Sequence, residues 1–167
     1  STIYKQEFLE LVINKGIYEK YIGNDFFQLG ILLEGLHYKE NFKVFFIQKK
    51  FLTSVGIQKE SYWRKNVFKT FGEGWIKFIE LLPKEFKNKD DVIKSHGIKS
   101  GLFTIVGFFK LRAQGLYDKS ELKKNKKIIL KISNLDYLKL KIIAIFPRKI
   151  LLKIYSLILK SKKRGVN

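Results

Sequence analysis

The chain has 167 residues with no cysteine, no methionine, two prolines and two histidines. Without cysteine there are no disulfides, zinc ribbons, iron–sulfur clusters or thiol nucleophiles, and the redox compartment is left open. Two histidines, His37 and His96, are too few for a histidine-built metal site and lack metal-ligand spacing. Arginine is scarce as well: Arg64, Arg112, Arg148 and Arg164 stand among 34 basic residues. The planar guanidinium fork is the usual tool for guanine and bidentate phosphate contacts, so sequence-specific nucleic-acid reading is disfavoured. The longest apolar stretches, such as 102–109, fall well short of the roughly 18 to 20 residues a helix needs to span a bilayer. The chain opens Ser-Thr-Ile-Tyr, with neither an initiator Met nor a signal peptide, which reads as processing or truncation upstream.

What is present is apolar volume and positive charge. Hydrophobic residues make up 46% of the chain and aromatic residues 15%, enough for a packed core and too much for a disordered chain. The net charge is +19 and unevenly spread. Residues 1–118 hold 19 Lys/Arg against 13 Asp/Glu, whereas residues 119–167 hold 15 against 2. Long-range attraction from such a block suits nucleic-acid phosphate, anionic lipid or an acidic partner alike. A codon bias toward lysine is the bland alternative.

Along the chain, residues 3–12 alternate loosely and end in Asn14, Lys15 and Gly16, which predicts a strand or strand-to-helix element followed by a turn. Gly23 and Asn24 then open a helix over 24–37, with Asp25 in its first turn and Phe26, Leu29, Leu33 and Leu36 at helical spacing. The β-branched and aromatic run 42–48 predicts a strand. From Ser61 the period becomes helical. Trp63, Val67, Phe71, Trp75, Phe78 and Leu82 step by three or four, with Ser61 as cap and Pro83 beyond the end. One long helix is expected from Asp90 and Asp91 to Gly115, and Ser120 and Ser133 cap two more. Pro147 opens a last one, which places Ile150, Leu151, Ile154, Leu157 and Ile158 on one face. Its basic margin, Arg148, Lys149, Lys153, Lys160, Lys162, Lys163 and Arg164, suits anionic lipid headgroups, or else snorkels from an ordinary core-packing helix. No internal repeat is found.

Chemistry-bearing residues are sparse: the chain has neither a Gly-rich phosphate loop nor a nucleophile elbow. Asp90-Asp91 reads as a helix start, and the tryptophans and phenylalanines read as core. Asp25 in "IGNDFFQL" remains, a carboxylate at a helix start after a Gly-Asn turn, where an ionised base is useful. By itself such an acid is a structural helix-start residue.

The run "STIYKQEFLELVINKGIYEKYIGNDFFQLGILLEGLHYKENFKVFFIQ", with helical aromatic sequence ending in "FPRKILLKIYSLIL", resembles the C-terminal half of bacterial family 2 glycosyltransferases, the GT-A-fold enzymes of capsule and O-antigen synthesis. In that family an "I-Y-K-x-x-F" segment leads to a Glu-Asp pair at a helix start, and its Asp is the catalytic base. Asn24-Asp25 stands at that place here, with Asn for Glu. The resemblance implies an α/β N-terminal part, a partial GT-A sheet, followed by a mainly α-helical C-terminal region. It divides the chain into an acceptor-side remnant (1–60), a helical region (61–118) and basic, membrane-associating amphipathic helices (119–167). It implies Asp25 as catalytic base, and Asn24 and His37 are the candidate substrate-binding residues. The family's D-x-D, which holds a divalent metal (Mg or Mn) on the nucleotide-sugar, does not occur in this sequence. Metal and donor are therefore expected only in a complete enzyme, and no transferase activity is expected of this chain by itself. A glycan or lipid-linked acceptor and the inner face of the plasma membrane would be its partners, at a cytoplasmic, peripheral location. Two rival readings are a non-enzymatic polyanion-binding helical module and a structural helical domain. Base-stacking aromatics must be exposed, whereas Tyr137, Phe146 and Tyr155 keep the apolar stripes of their helices.

Overall fold

The computed structural model describes residues 5–39 and 66–154. Among these residues every regular element is helical and there is no strand. The expected α/β architecture with a partial GT-A sheet in the N-terminal part is therefore overturned.

The segment expected as a strand forms α1 (Gln6–Asn14). Its loose alternation conceals an i, i+4 pair, Phe8 and Val12, and these two are what the helix buries. Gln6 and Glu10, also four apart, hydrogen-bond at 2.9 Å on its exposed side. The expected turn is present: Gly16 takes a left-handed φ of 64° and hands the chain to α2 (Ile17–Tyr21). The next helix, α3 (Phe27–His37), starts later than Asn24. Asn24 folds into a turn of its own, with its Oδ1 accepting from the Phe26 amide at 2.8 Å, which postpones the first helical residue. Asp25 accordingly precedes the helix and is not in its first turn. The strand expected over 42–48, and Ser61 and Trp63, lie outside the described residues.

The period beginning at Val67 does form a helix, but its first part, Phe68–Gly74, is wound as a π-helix before continuing as α4 (Trp75–Leu81). Pro83 follows directly after the end, as expected. The helix expected over 90–115 is two, α5 (Lys89–Lys99) and α6 (Ile105–Gln114). Gly101, at φ 70°, turns the chain between them, and Thr104 caps α6 by accepting from the Gly107 amide. Asp90 and Asp91 lie in the first turn of α5. α7 (Lys119–Lys124), α8 (Lys126–Ile132) and α9 (Tyr137–Ile145) follow. Their caps differ from expectation. Asp118 accepts from the Ser120 and Glu121 amides, and Asp136 accepts from the Lys139 amide, because a carboxylate at either position is a stronger acceptor than the nearby hydroxyl. Ser133 instead closes α8 and is buried. After Pro147, whose carbonyl receives the Ile150 amide, residues 148–154 are helical.

One apolar cluster runs through these helices, from Phe8 and Tyr21 through Phe78, Phe103 and Phe108 to Ile132 and Leu140. In it α2 packs on α3, α4 on α5, α5 on α8, and α9 on both α6 and α7. Close approach is bought with glycine at α5 and α8: a Cβ on Gly97 would collide with the Ile132 carbonyl oxygen. Tyr117 is fully buried and donates its hydroxyl to the Leu140 carbonyl at 2.9 Å, tying α9 to the turn before α7. Arg112 works from α6 in the same way, its Nε donating to Phe146 O at 3.0 Å.

Candidate functional site

The turn before α3 is built backbone first. The Asn24 amide donates to Tyr21 O at 3.1 Å, and Asn24 O receives the Phe27 amide at 3.0 Å. Its side-chain amide then reaches across to Gly74 O at 3.4 Å, so the turn leans on the last residue of the π-helical segment. Gly74 leaves room there: a Cβ at this position would stand 3.5 Å from Asp25 Oδ2 and 3.8 Å from the Phe26 ring. Asp25 is exposed, two residues ahead of an eleven-residue helix whose N-terminal dipole favours a negative charge.

Beside the carboxylate lies a hollow of about 430 Å³, lined by Asn24, Asp25, Phe26, Phe27, Gln28, Leu29 and Leu32. The lining mixes two amide side chains, one carboxylate and two aromatic rings with aliphatic carbon. Such a surface offers hydrogen bonds to hydroxyl groups and flat apolar faces to C–H groups. Asn24 and Asp25 share this hollow. His37 does not: it ends α3, and ten residues of helix separate its backbone from Phe27 by roughly 15 Å. Its ring sits against Phe86 at 5.8 Å, and its Nε2 lies 3.9 Å from Glu85.

Phe26 connects the hollow to the core. Its ring meets Trp75 edge-on at 5.0 Å, Phe78 in a stack at 5.8 Å and His96 edge-on at 6.2 Å. His96 in turn stacks on Trp75 at 4.0 Å. Trp75 Nε1 and His96 Nε2 are buried and, among the described residues, have no hydrogen-bond partner. Burial holds the imidazole below its ordinary pKa, so it is kept neutral. Reading the sequence missed this aromatic tier. Trp75 and His96 are 21 residues apart and belong to different helices. It also missed the π-helical segment that holds Gly72 and Gly74.

A second polar group lies behind α3. Glu34 is buried, and its carboxylate receives Lys20 Nζ at 2.6 and 2.9 Å and the Tyr21 hydroxyl at 2.6 Å. Burial first, and the Glu34 hydrogen bond and charge second, push the Tyr21 phenol well above its usual range, so it stays a donor. Every polar contact of this trio is internal to α2 and α3, which makes it a structural clamp.

Of the basic residues expected at a membrane, Arg148 is exposed but tied to the end of α6. Its Nε donates to the Ala113 carbonyl at 2.9 Å, and its guanidinium lies against Gly115, whose φ is 79°. Lys149 and Lys153 are exposed. Lys160, Lys162, Lys163 and Arg164 lie outside the described residues. Among the described residues no three His, Asp or Glu side chains gather in a way that could hold a metal ion, and no helix is long and apolar enough to cross a membrane. Comparison with protein-family models, with curated proteins and with solved structures returns no match.

Proposed function

We propose that this chain is the acceptor-side part of an inverting glycosyltransferase, with Asp25 as the base that takes a proton from the acceptor hydroxyl as its oxygen attacks the donor's anomeric carbon and the bond from that carbon to the departing nucleoside diphosphate breaks. The observation that carries this reading is the placement of the Asp25 carboxylate on the rim of a hollow of about 430 Å³ whose lining suits a sugar ring. The Gln28 side chain would meet hydroxyl groups, and Phe26 or Phe27 would back the ring's C–H face. The donor, a nucleotide-sugar with its divalent metal, would be bound by sequence outside this chain, since no D-x-D occurs in it. The basic C-terminal region would hold the enzyme on the cytoplasmic leaflet, where a lipid-linked acceptor lies, through Lys149, Lys153 and the lysines beyond them.

Two measurements test it. In the protein with its donor-binding partner sequence, Asp25→Asn is expected to lower sugar transfer by about 10²–10⁴-fold while the circular dichroism spectrum stays unchanged. In the 167-residue chain, saturation-transfer NMR against a panel of capsular oligosaccharides is expected to show contact that Phe26→Ala weakens. Transfer undiminished by Asp25→Asn removes the carboxylate from the chemistry and the reading with it.

A further inference from the structure

Helix α9 is apolar on two opposite sides. Leu140, Ile143 and Ala144 lie on one side and are buried. Leu138, Ile142 and Ile145, spaced by four and three, lie on the other and are 67%, 50% and 50% exposed. At 100° per residue the two triplets are about half a turn apart, so the outer one is a ribbon along the length of the helix that, among the described residues, has no partner. A helix that is apolar on two opposite faces belongs between two apolar surroundings, and among the described residues the core supplies only one.

The edges of the ribbon say what the other is. Lys141 stands at its margin between Leu138 and Ile145, and Lys139 occupies one flank. Tyr137 occupies the other, with Lys126 Nζ 4.6 Å over its ring. α9 itself carries no acidic residue, and Asp136 at its cap is paired with Lys139 at 2.8 Å. An aliphatic ribbon edged by lysine and tyrosine complements an anionic lipid surface: acyl carbon for the ribbon, headgroups for the ammonium groups and the amphipathic phenol. A second copy of the chain fits poorly, because a two-fold pairing would set Lys141 near its mate within an assembly of two +19 chains. A nucleic-acid strand fits poorly too, since the ribbon has no exposed ring at its centre on which a base could stack.

We propose that the outer face of α9, Leu138, Ile142 and Ile145, inserts into the interfacial layer of an anionic membrane. This deepens the peripheral-membrane part of the proposed function by moving the apolar anchor from the terminal lysine-rich helix to α9, and it rests on that part alone.

The test is flotation of the 167-residue chain with phosphatidylcholine vesicles, with and without about 30% phosphatidylglycerol, at low and high salt. Wild-type protein is expected to float with the anionic vesicles only. The triple variant Leu138→Ser, Ile142→Ser, Ile145→Ser is expected to lose at least about tenfold in bound fraction at an unchanged melting midpoint, because all three side chains are exposed. Asp25→Asn should float like wild type. Because the chain has no cysteine, Ile142→Cys provides a single thiol for an environment-sensitive dye. Its emission should shift to the blue on anionic vesicles, whereas a dye at Lys94→Cys, exposed on α5, should not respond.

Flotation of the triple variant equal to wild type would overturn the α9 anchor and leave the terminal lysines as the membrane contact. Absence of wild-type flotation on any vesicle would overturn both. A wild-type dimer that the triple variant dissociates in sedimentation, or RNA binding that it abolishes, would assign the ribbon to another partner.

Discussion

A half-buried imidazole whose Nε2 has no hydrogen-bond partner among the described residues is the residue with the clearest pH signature. His96 is stacked on Trp75 and held neutral by desolvation, so its pKa in the fold lies below the 6.5 of the unfolded chain. The unfolded state therefore binds the extra proton first as pH falls. The stabilising contribution is complete above pH 6.5 and declines as pH drops from there toward the lowered folded value. We expect the denaturant midpoint of the wild type to fall across this window, and that of His96→Phe to fall less, measured by urea titration at a series of pH values. Equal slopes for the two proteins would exclude His96 as the titrating group. Glu34 makes the complementary prediction. Glu34→Ala would strand the fully buried Tyr21 hydroxyl and uncouple Lys20, at a cost of about 1–3 kcal/mol in chemical denaturation. Asp25, exposed on the rim of the hollow, is expected to tolerate Asn with no comparable loss.

At the scale of elements, the caps and the close contacts set the register. Asp118→Ala removes the acceptor for two amides at the start of α7 and should cost about 1 kcal/mol, read from the thermal midpoint. Ser120→Ala, at the position expected from sequence to be the cap, should cost clearly less. Gly97→Ala places a Cβ against the Ile132 carbonyl and should cost about 1–3 kcal/mol by forcing α5 away from α8. Glycines stand at 97, 101 and 107 within the stretch 90–115. The sequence could not show which one turns the chain and which admits a neighbour. Gly101, at φ 70°, does the first and Gly97 does the second, and only the packing of α8 separates the two roles. The strand expected at the N-terminus failed for a similar reason. Phe8 and Val12 fit a loose alternation and an i, i+4 pair almost equally well over ten residues, and contact with Gly35 of α3 decides for the helix.

At the scale of the whole molecule, one apolar cluster links α1 to α9, so the described helices should melt together. Far-ultraviolet and near-ultraviolet circular dichroism are expected to give coincident denaturation curves, and two resolved transitions would show separate cooperative units. The charge map belongs to this scale as well. The chain's +19 was legible from composition, including its concentration after residue 118. The side of each helix that faces outward was not. Arg148, which the sequence placed on a basic rim, donates to the Ala113 carbonyl at the end of α6, while Leu138, Ile142 and Ile145 stand exposed on α9.

From the order of residues alone follow the helical period from Val67 to Pro83, the turn at Gly16, the helix end at Gly115 and the lysine-rich last third, because each depends on neighbours within a few positions. The tertiary structure decided the rest: the all-helical form of residues 5–39, the hollow beside Asp25, the Trp75–His96 stack and the bare face of α9. Each of these is set by contacts between segments far apart in the chain, where burial outweighs local preference by the free energy of whole side chains removed from water.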